Sequence, residues 1–212
     1  MKTYGQYCGL ARAAEVLGER WTLVILRDLL VGPKRFNELR TGIPGIPSNI
    51  LTTRLGDLER AEVVERAVAD RGVVYQLSDY GRDLEPILLA IGRWGARRMD
   101  APREGERPTE SSLAAALLAA RTDTTVEPFS VEVTVGPAVA TARVGETGVS
   151  VAEGTSPDPD LHLGGPGMRR LLADGDVDAA LSSGGIDCEG PTSLVEEFAR
   201  AFHVPLDASV RE

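Results

Sequence analysis

Four of the six residues in Gly42-Ile43-Pro44-Gly45-Ile46-Pro47 are glycine or proline, so neither a helix nor a strand can run through them. The chain must therefore break there into two elements joined by a tight turn. Upstream, apolar residues recur at helical spacing over residues 10–17 and again over 21–30, where Val24, Ile25, Leu29 and Leu30 form one stripe. Gly32-Pro33 ends that helix, and a shorter one follows over 35–40, with Phe36 and Leu39 on one face. Downstream, Ser48 stands where an N-cap belongs, able to accept from the first orphan amides. Leu51, Leu55 and Leu58 then lie at i, i+4 and i+7, a core-facing stripe.

Residues 63–68 and 73–77 are rich in valine and are separated by Asp70-Arg71-Gly72, which predicts a β-hairpin. Ser78 or Asp79 can cap a last helix through Leu84, Ile87, Leu88, Ile91 and Trp94, whose spacing makes a continuous apolar strip. Pro86 falls early enough in it to be tolerated. Residues 100–109 hold two prolines, a glycine and alternating charges without periodicity, the mark of an exposed linker. The expected division is a first domain of residues 1–100, a linker over 101–110 and a second domain over 111–212.

That division explains a net charge of −9, which taken whole argues against a nucleic-acid partner. Residues 1–104 carry 16 Lys+Arg and 14 Asp+Glu, a balance of +2; residues 105–212 carry 7 and 18, a balance of −11. All the excess acid lies in the second half. The first half has only a modest surplus, so DNA contact there would come from a local cluster, preferably doubled by a dimer.

Helix, turn, helix and two-stranded ribbon is the order of a winged helix-turn-helix, whose second helix can enter a major groove while the hairpin reaches the flanking backbone or minor groove. With Leu51, Leu55 and Leu58 inward, Asn49, Thr53, Gly56 and Arg60 face out, flanked by Thr52, Arg54 and Asp57. Asn can read adenine, and Thr can touch a thymine methyl or a phosphate. Lys34 and Arg35 are placed to grip phosphates, and Arg71 falls at the wing tip. Polar residues opposite an apolar stripe are what any solvated helix shows; the ordered combination is what favours DNA. The candidate contacts are thus Lys34, Arg35, Ser48, Asn49, Thr52, Thr53, Arg54, Arg60 and Arg71.

Five motifs make the pattern specific: Gly18-Glu19-Arg20-Trp21, Ile25-Leu26-Arg27, Gly32-Pro33-Lys34-Arg35-Phe36-Asn37-Glu38-Leu39, Leu51-Thr52-Thr53-Arg54-Leu55 and Tyr75-Gln76-Leu77-Ser78-Asp79-Tyr80-Gly81. Together, over roughly residues 4–98, they closely resemble the HxlR family of winged-helix regulators, relatives of MarR-type regulators. The resemblance implies a homodimer in which the N-terminal segment and the helix ending near Trp94 supply the partner surface, with residues 48–60 as recognition helix. Such regulators often carry an oxidant-sensing cysteine near the N-terminus, and Cys8 falls at that position. Arg12, one helical turn on, could depress the pKa of such a thiol. Equally, Cys8 could be a small residue at a helix start or dimer seam, and Gly9 replaces the family's usual proline.

The second half reads as helix (112–121), three antiparallel strands (129–135, 138–144, 149–152), a short strand (161–163), a helix (167–173), a strand (186–189) and a closing helix (191–202). This is an α+β domain with a small antiparallel or mixed sheet. Leu161-His162-Leu163-Gly164-Gly165, Leu171-Leu172-Ala173-Asp174-Gly175, Ala179-Ala180-Leu181-Ser182-Ser183-Gly184 and Glu189-Gly190-Pro191 make it resemble the sterol carrier protein (type two) fold. That fold implies a five-stranded sheet with helices on one side and an apolar pocket. Leu117, Phe129, Val131, Val133, Met168, Leu172, Phe198 and Phe202 are candidate lining, although plain core is built from the same residue types.

Gly164-Gly165-Pro166-Gly167 lacks the Gly-Lys-Ser/Thr ending of a phosphate loop. His162 and His203 have no Cys or His at metal-ligand spacing, and no acid/base pair or nucleophile elbow is evident, so neither metal, cofactor nor enzyme activity is expected. The densest apolar run, 113–120, is too short to cross a bilayer, and the opening residues carry no secretory pattern, which makes the cytoplasm the expected address and Cys8 and Cys188 free thiols. The expected function is a homodimeric, DNA-binding regulator controlled by an apolar effector in the second domain or by oxidation of Cys8. The alternative is a lipid or small-molecule carrier whose winged helix serves protein contacts.

Overall fold

The computed structural model describes residues 3–70, 72–99, 102–146, 148–182 and 184–206. The chain divides into two compact units, Met1–Leu88 and Leu89–Glu212.

In the first unit, α1 (Gly9–Leu17), α2 (Thr22–Val31), α3 (Phe36–Gly42) and α4 (Ser48–Arg60) precede an antiparallel hairpin of β1 (Val64–Ala69) and β2 (Gly72–Leu77). The predicted stripe is what buries: Leu51, Leu55 and Leu58 join Ile25, Leu26, Leu29 and Leu39 in one core. Ile43 and Ile46, inside the Pro/Gly turn, plug the same core, so the turn is pinned as well as bent. Fully burying each such side chain stabilises by about 1.5–3 kcal/mol. Register in the hairpin runs from Val64↔Leu77 at the base to Ala69↔Gly72 at the tip.

Ser78 caps a single helical turn, α5 (Asp79–Arg82), its hydroxyl accepting from Gly81 N at 2.9 Å. Gly81 sits so close to the Val63 carbonyl that no side chain fits there. The last helix, α6 (Glu85–Ala96), is separate from α5 instead of continuing from Ser78. Pro86 is the second residue of α6, where its missing N–H has no intrahelical partner to lose. Leu88 is buried in the first core, whereas Ile87, Ile91 and Trp94 stand exposed, Trp94 at 75%.

In the second unit, residues 102–109 are irregular, and Thr109 then caps α7 (Glu110–Ala120). A mixed sheet follows in the order β5-β4-β3-β6-β7, built from β3 (Phe129–Val135), β4 (Ala138–Gly145), β5 (Gly148–Glu153), β6 (Leu161–Gly164) and β7 (Asp187–Glu189). Pairing is antiparallel except for β3 and β6, which run parallel. A parallel neighbour needs a crossover, and residues 136–160 supply it through β4 and β5. Alternation in β3 and β4 sends Phe129, Val131, Val133, Ala138, Ala140 and Ala142 inward, and polar residues such as Glu132 and Thr141 to the other face. The remaining helices are α8 (Met168–Asp174), α9 (Val177–Ser182) and α10 (Thr192–Ala201). α7 is apolar nearly all round and buried on most of its surface, as such a helix must be. Among the described residues no helix is long and apolar enough to cross a membrane.

Candidate nucleic-acid interface

α4 begins one residue before the expected boundary. Pro47, with ψ 139, occupies the N-cap position and its carbonyl accepts from Leu51 N at 3.0 Å; Ser48 is the first helical residue and makes no side-chain cap. The correction has a simple cause: proline's fixed φ suits the residue entering a helix, and its missing N–H costs nothing there. Ser48 is exposed, as are Asn49, Thr52 and Thr53. The hydroxyls of Thr52 and Thr53 donate back to the carbonyls of Ser48 and Asn49, both at 2.9 Å. That bond fixes each threonine's rotamer. Gly56 adds no side chain between these residues and Arg60.

The two arginines of α4 are not equivalent. Arg54 Nη1 lies 3.0 Å from Asp57 Oδ2 and 3.7 Å from Glu19 Oε2, and its side chain is only 18% exposed. Its guanidinium is committed to the protein instead of projecting outward. Arg60 pairs with the other oxygen of Asp57 and is 73% exposed. Sequence reasoning placed Asp57 on the flank and overlooked it as a partner; the i, i+3 spacing on both sides, 54–57 and 57–60, was the available signal. Glu19 was overlooked too, and no local pattern reveals it, since it reaches α4 from the corner between α1 and α2.

That corner holds Trp21 at φ 81, a left-handed conformation that costs a non-glycine residue about 1–2 kcal/mol. The indole packs against the first core and Arg20 stacks over it at 4.9 Å from the ring centroid, contacts that offset the strain. Its far edge approaches Gly45 in the turn between α3 and α4.

Lys34 joins the hairpin to the helices. Its amide donates to Tyr75 O at 2.9 Å and its carbonyl accepts from Tyr75 N at 2.7 Å, an isolated bridge that adds a third backbone segment beside β2. Arg35 follows at the N-cap of α3, where its amide donates to Glu38 Oε2 at 2.6 Å and its guanidinium lies 3.5 Å from the same carboxylate. On the hairpin, Arg66 stacks over Tyr75 at 5.4 Å and pairs with Glu59 at 2.7 Å. Those contacts hold its pKa above the ordinary value, with the Glu59 hydrogen bond as the main cause. Arg71 lies outside the described residues.

Cys8 is an exposed free thiol at the N-cap position of α1. The Arg12 guanidinium lies 3.1 Å from Glu15 Oε2. Glu15 also accepts from Tyr4 N at 2.7 Å and Thr3 Oγ1 at 2.8 Å. These hydrogen bonds, Tyr4's first, together with Arg12, hold the Glu15 carboxyl below its ordinary value.

In the second unit, Phe129, Val131, Val133, Leu117, Met168, Phe198 and Phe202 are buried, and Leu172 is half-buried. Phe198 and Phe202 stack at 4.8 Å between centroids. A cleft of about 360 Å³ lies elsewhere, lined by Gly175, Asp176, Val177, Asp178, Glu196, Ala199 and Arg200, none of them a candidate lining residue. His162 Nδ1 lies 3.4 Å from Glu132 Oε1 on the polar face of the sheet.

Comparison with known proteins bears on the first unit. The model of the HxlR-like helix-turn-helix family matches residues 16–103, so β3 to β7 lie outside it. The HTH-type transcriptional regulator YdeP of Bacillus subtilis (strain 168) is 36% identical over 96 residues, 44% of this chain and 75% of that protein. From the same organism, the HTH-type transcriptional regulator YodB is 38% identical over 85 residues, 39% of this chain and 76% of its own length. The structure of the redox regulator HypR in its reduced form is 35% identical, covers 42% of this chain and 90% of that one, and superposes with a TM-score of 0.40.

Proposed function

Since the chain belongs to the HxlR-like helix-turn-helix family of transcriptional regulators, we propose that it is a cytoplasmic, homodimeric regulator that binds duplex DNA sequence-specifically through α4 and the hairpin. The observation that carries this reading is the two-sided character of α4. Leu51, Leu55 and Leu58 are buried on one side, while Ser48, Asn49, Thr52, Thr53 and Arg60 stand exposed on the other. The Lys34–Tyr75 bridge ties the hairpin to the segment that leads into α3. Asn49 and Thr53 are assigned to base edges, with Ser48, Thr52, Lys34, Arg35 and Arg71 on phosphates. Arg54 takes a supporting role, because Asp57 and Glu19 hold it.

The domain assignment is residues 1–100 for DNA binding and dimerisation, 101–110 for the linker and 111–212 for the α+β domain. The exposed residues Ile87, Ile91 and Trp94 on α6 favour a second copy as their cover, and Tyr7 and Leu10 near Cys8 are exposed apolar residues of the same kind. The α+β domain is assigned to an apolar effector or to added dimer contacts, and exposed Cys8 is the assigned point of oxidant control.

A gel-shift series on the full chain against genomic fragments tests this. Lys34→Ala/Arg35→Ala is expected to weaken binding across sequences and to lower the salt slope by about one unit for each phosphate no longer neutralised. Sequence-independent binding at low salt alone, untouched by those substitutions, overturns it.

A further inference from the structure

We infer that Asp57 is a specificity-determining residue of α4: it holds Arg60 away from indiscriminate phosphate contact and gives it up only where the DNA offers a better-fitting acceptor. This rests on the DNA-binding reading above and says how its exposed face discriminates.

The cations of Ser48–Arg60 are Arg54 and Arg60, and its acids are Asp57 and Glu59. Each acid is engaged. Glu59 is taken by Arg66 of β1, at 2.7 Å to Nε and 2.9 Å to Nη2. Asp57 is shared, with Oδ2 on Arg54 and Oδ1 on Arg60. The helix meant to face a polyanion is thus formally neutral, with both of its own guanidiniums on one carboxylate.

The sharing is lopsided. Arg54 and Asp57 are mostly covered, at 18% and 17% exposure, and Arg54 has Glu19 as a second acceptor. Arg60 is 73% exposed, and a pair of that kind is screened and cheap to exchange. If Arg60 swings away, Asp57 keeps Arg54 and Arg54 keeps Glu19. Neither is left as an unpaired half-covered charge, the costly outcome of breaking a pair. Arg60 is therefore the one guanidinium of α4 that can leave, and the remaining network holds its shape when it does.

A random phosphate gives Arg60 little, since it trades one anion for another and leaves Asp57 facing the DNA with its repulsion less compensated. A guanine edge offers two acceptors, O6 and N7, matched to the guanidinium fork. Discrimination thus comes from a repulsive element built into the reading surface as well as from the contact it permits.

Two duplexes of equal length test the inference, one selected by the wild-type chain from a random pool and one scrambled. Asp57→Asn is expected to tighten binding to the scrambled duplex about 3- to 10-fold near 0.1 M salt and to steepen its salt slope by about one unit per protomer. Preference for the selected duplex falls accordingly. Asp57→Glu keeps the carboxylate and should keep the wild-type preference, a rescue that a merely structural role does not predict. Adding Arg60→Ala to Asp57→Asn should remove the gain on scrambled DNA. The inference is overturned if Asp57→Asn leaves affinity and slope on scrambled DNA unchanged, or if Arg60→Ala does not reverse its effect. Should Asp57→Asn not fold, Arg60→Ala alone decides: a loss confined to the selected duplex supports the inference, and an equal loss on both overturns it. A wild-type chain that shows no preference for its selected duplex refutes the DNA-reading assignment itself, and this one with it.

Discussion

Which side of α4 faces the core can be tested by a pair of alanine substitutions two residues apart. Leu55 is 1% exposed and sits in the middle of the first core. Truncation to alanine removes its transfer free energy and leaves a cavity, at a cost of about 2–5 kcal/mol. A unit of this size is expected to have only about 5–15 kcal/mol in total, and each kcal/mol moves Tm by about 4–8 °C. Leu55→Ala should therefore lower the melting temperature of the first unit by about 8–40 °C. Thr53→Ala should behave oppositely. Thr53 is exposed and its hydroxyl only bonds back to Asn49 O; alanine is the better helix former, so stability should hold or rise by about 0.5 kcal/mol. DNA affinity should nonetheless drop about fivefold, the effect of removing one modest base-edge interaction. The assay is thermal unfolding followed by Trp21 fluorescence in a Trp94→Phe background, since the chain has two tryptophans and Trp21 packs on the first core. Separate unfolding of the two units would leave this probe reporting the first one. A Leu55→Ala chain that melts like its parent, or a Thr53→Ala chain that loses several degrees, refutes the orientation of α4 and every contact assigned from it.

Ile91→Glu should convert a dimer into a monomer in light scattering, with a fall in melting temperature as the partner's stabilisation is lost, and a wild-type chain already monomeric at micromolar concentration rules out α6 as the seam. Glu15 carries a pH signature. Its folded pKa is depressed, so the tether of Thr3 and Tyr4 is complete above the ordinary value of about 4.5 and is lost as pH falls through the lower folded value. The Tyr4 amide resonance should therefore hold steady from pH 7 to 5 and shift only below that; a midpoint above pH 5 contradicts the assigned hydrogen bonds. Cys8→Ser should leave DNA binding intact while abolishing any response to peroxide, and a normal response in that variant removes Cys8 from the regulatory scheme.

Most of the first unit was legible because its signals are local. The Pro/Gly block, the 51–55–58 stripe and the valine-rich arms around residues 70–72 each act within one turn or one ribbon, and the elements formed where those signals stood. The same holds for β3, whose strict alternation marks its inward face. Local rules failed where two sequence features competed for one role. Pro47 displaced Ser48 from the cap, and Pro86, which cannot bond back to the Arg82 carbonyl, separates the single turn α5 from the helix that carries Trp94.

Side-chain partners were the other limit. The sequence alone determined that the first unit would be a helix-turn-helix with a hairpin, that α4 would show a polar face, and that the acid would be confined to the second half. Only the tertiary structure decided that Arg54 is drawn in by Asp57 and by Glu19 thirty-five positions away, and that Arg12 pairs with Glu15. Periodicity reports which side of an element is apolar. It carries no information about which charge from another segment arrives opposite a given guanidinium, because that depends on how separate elements pack and not on spacing along the chain.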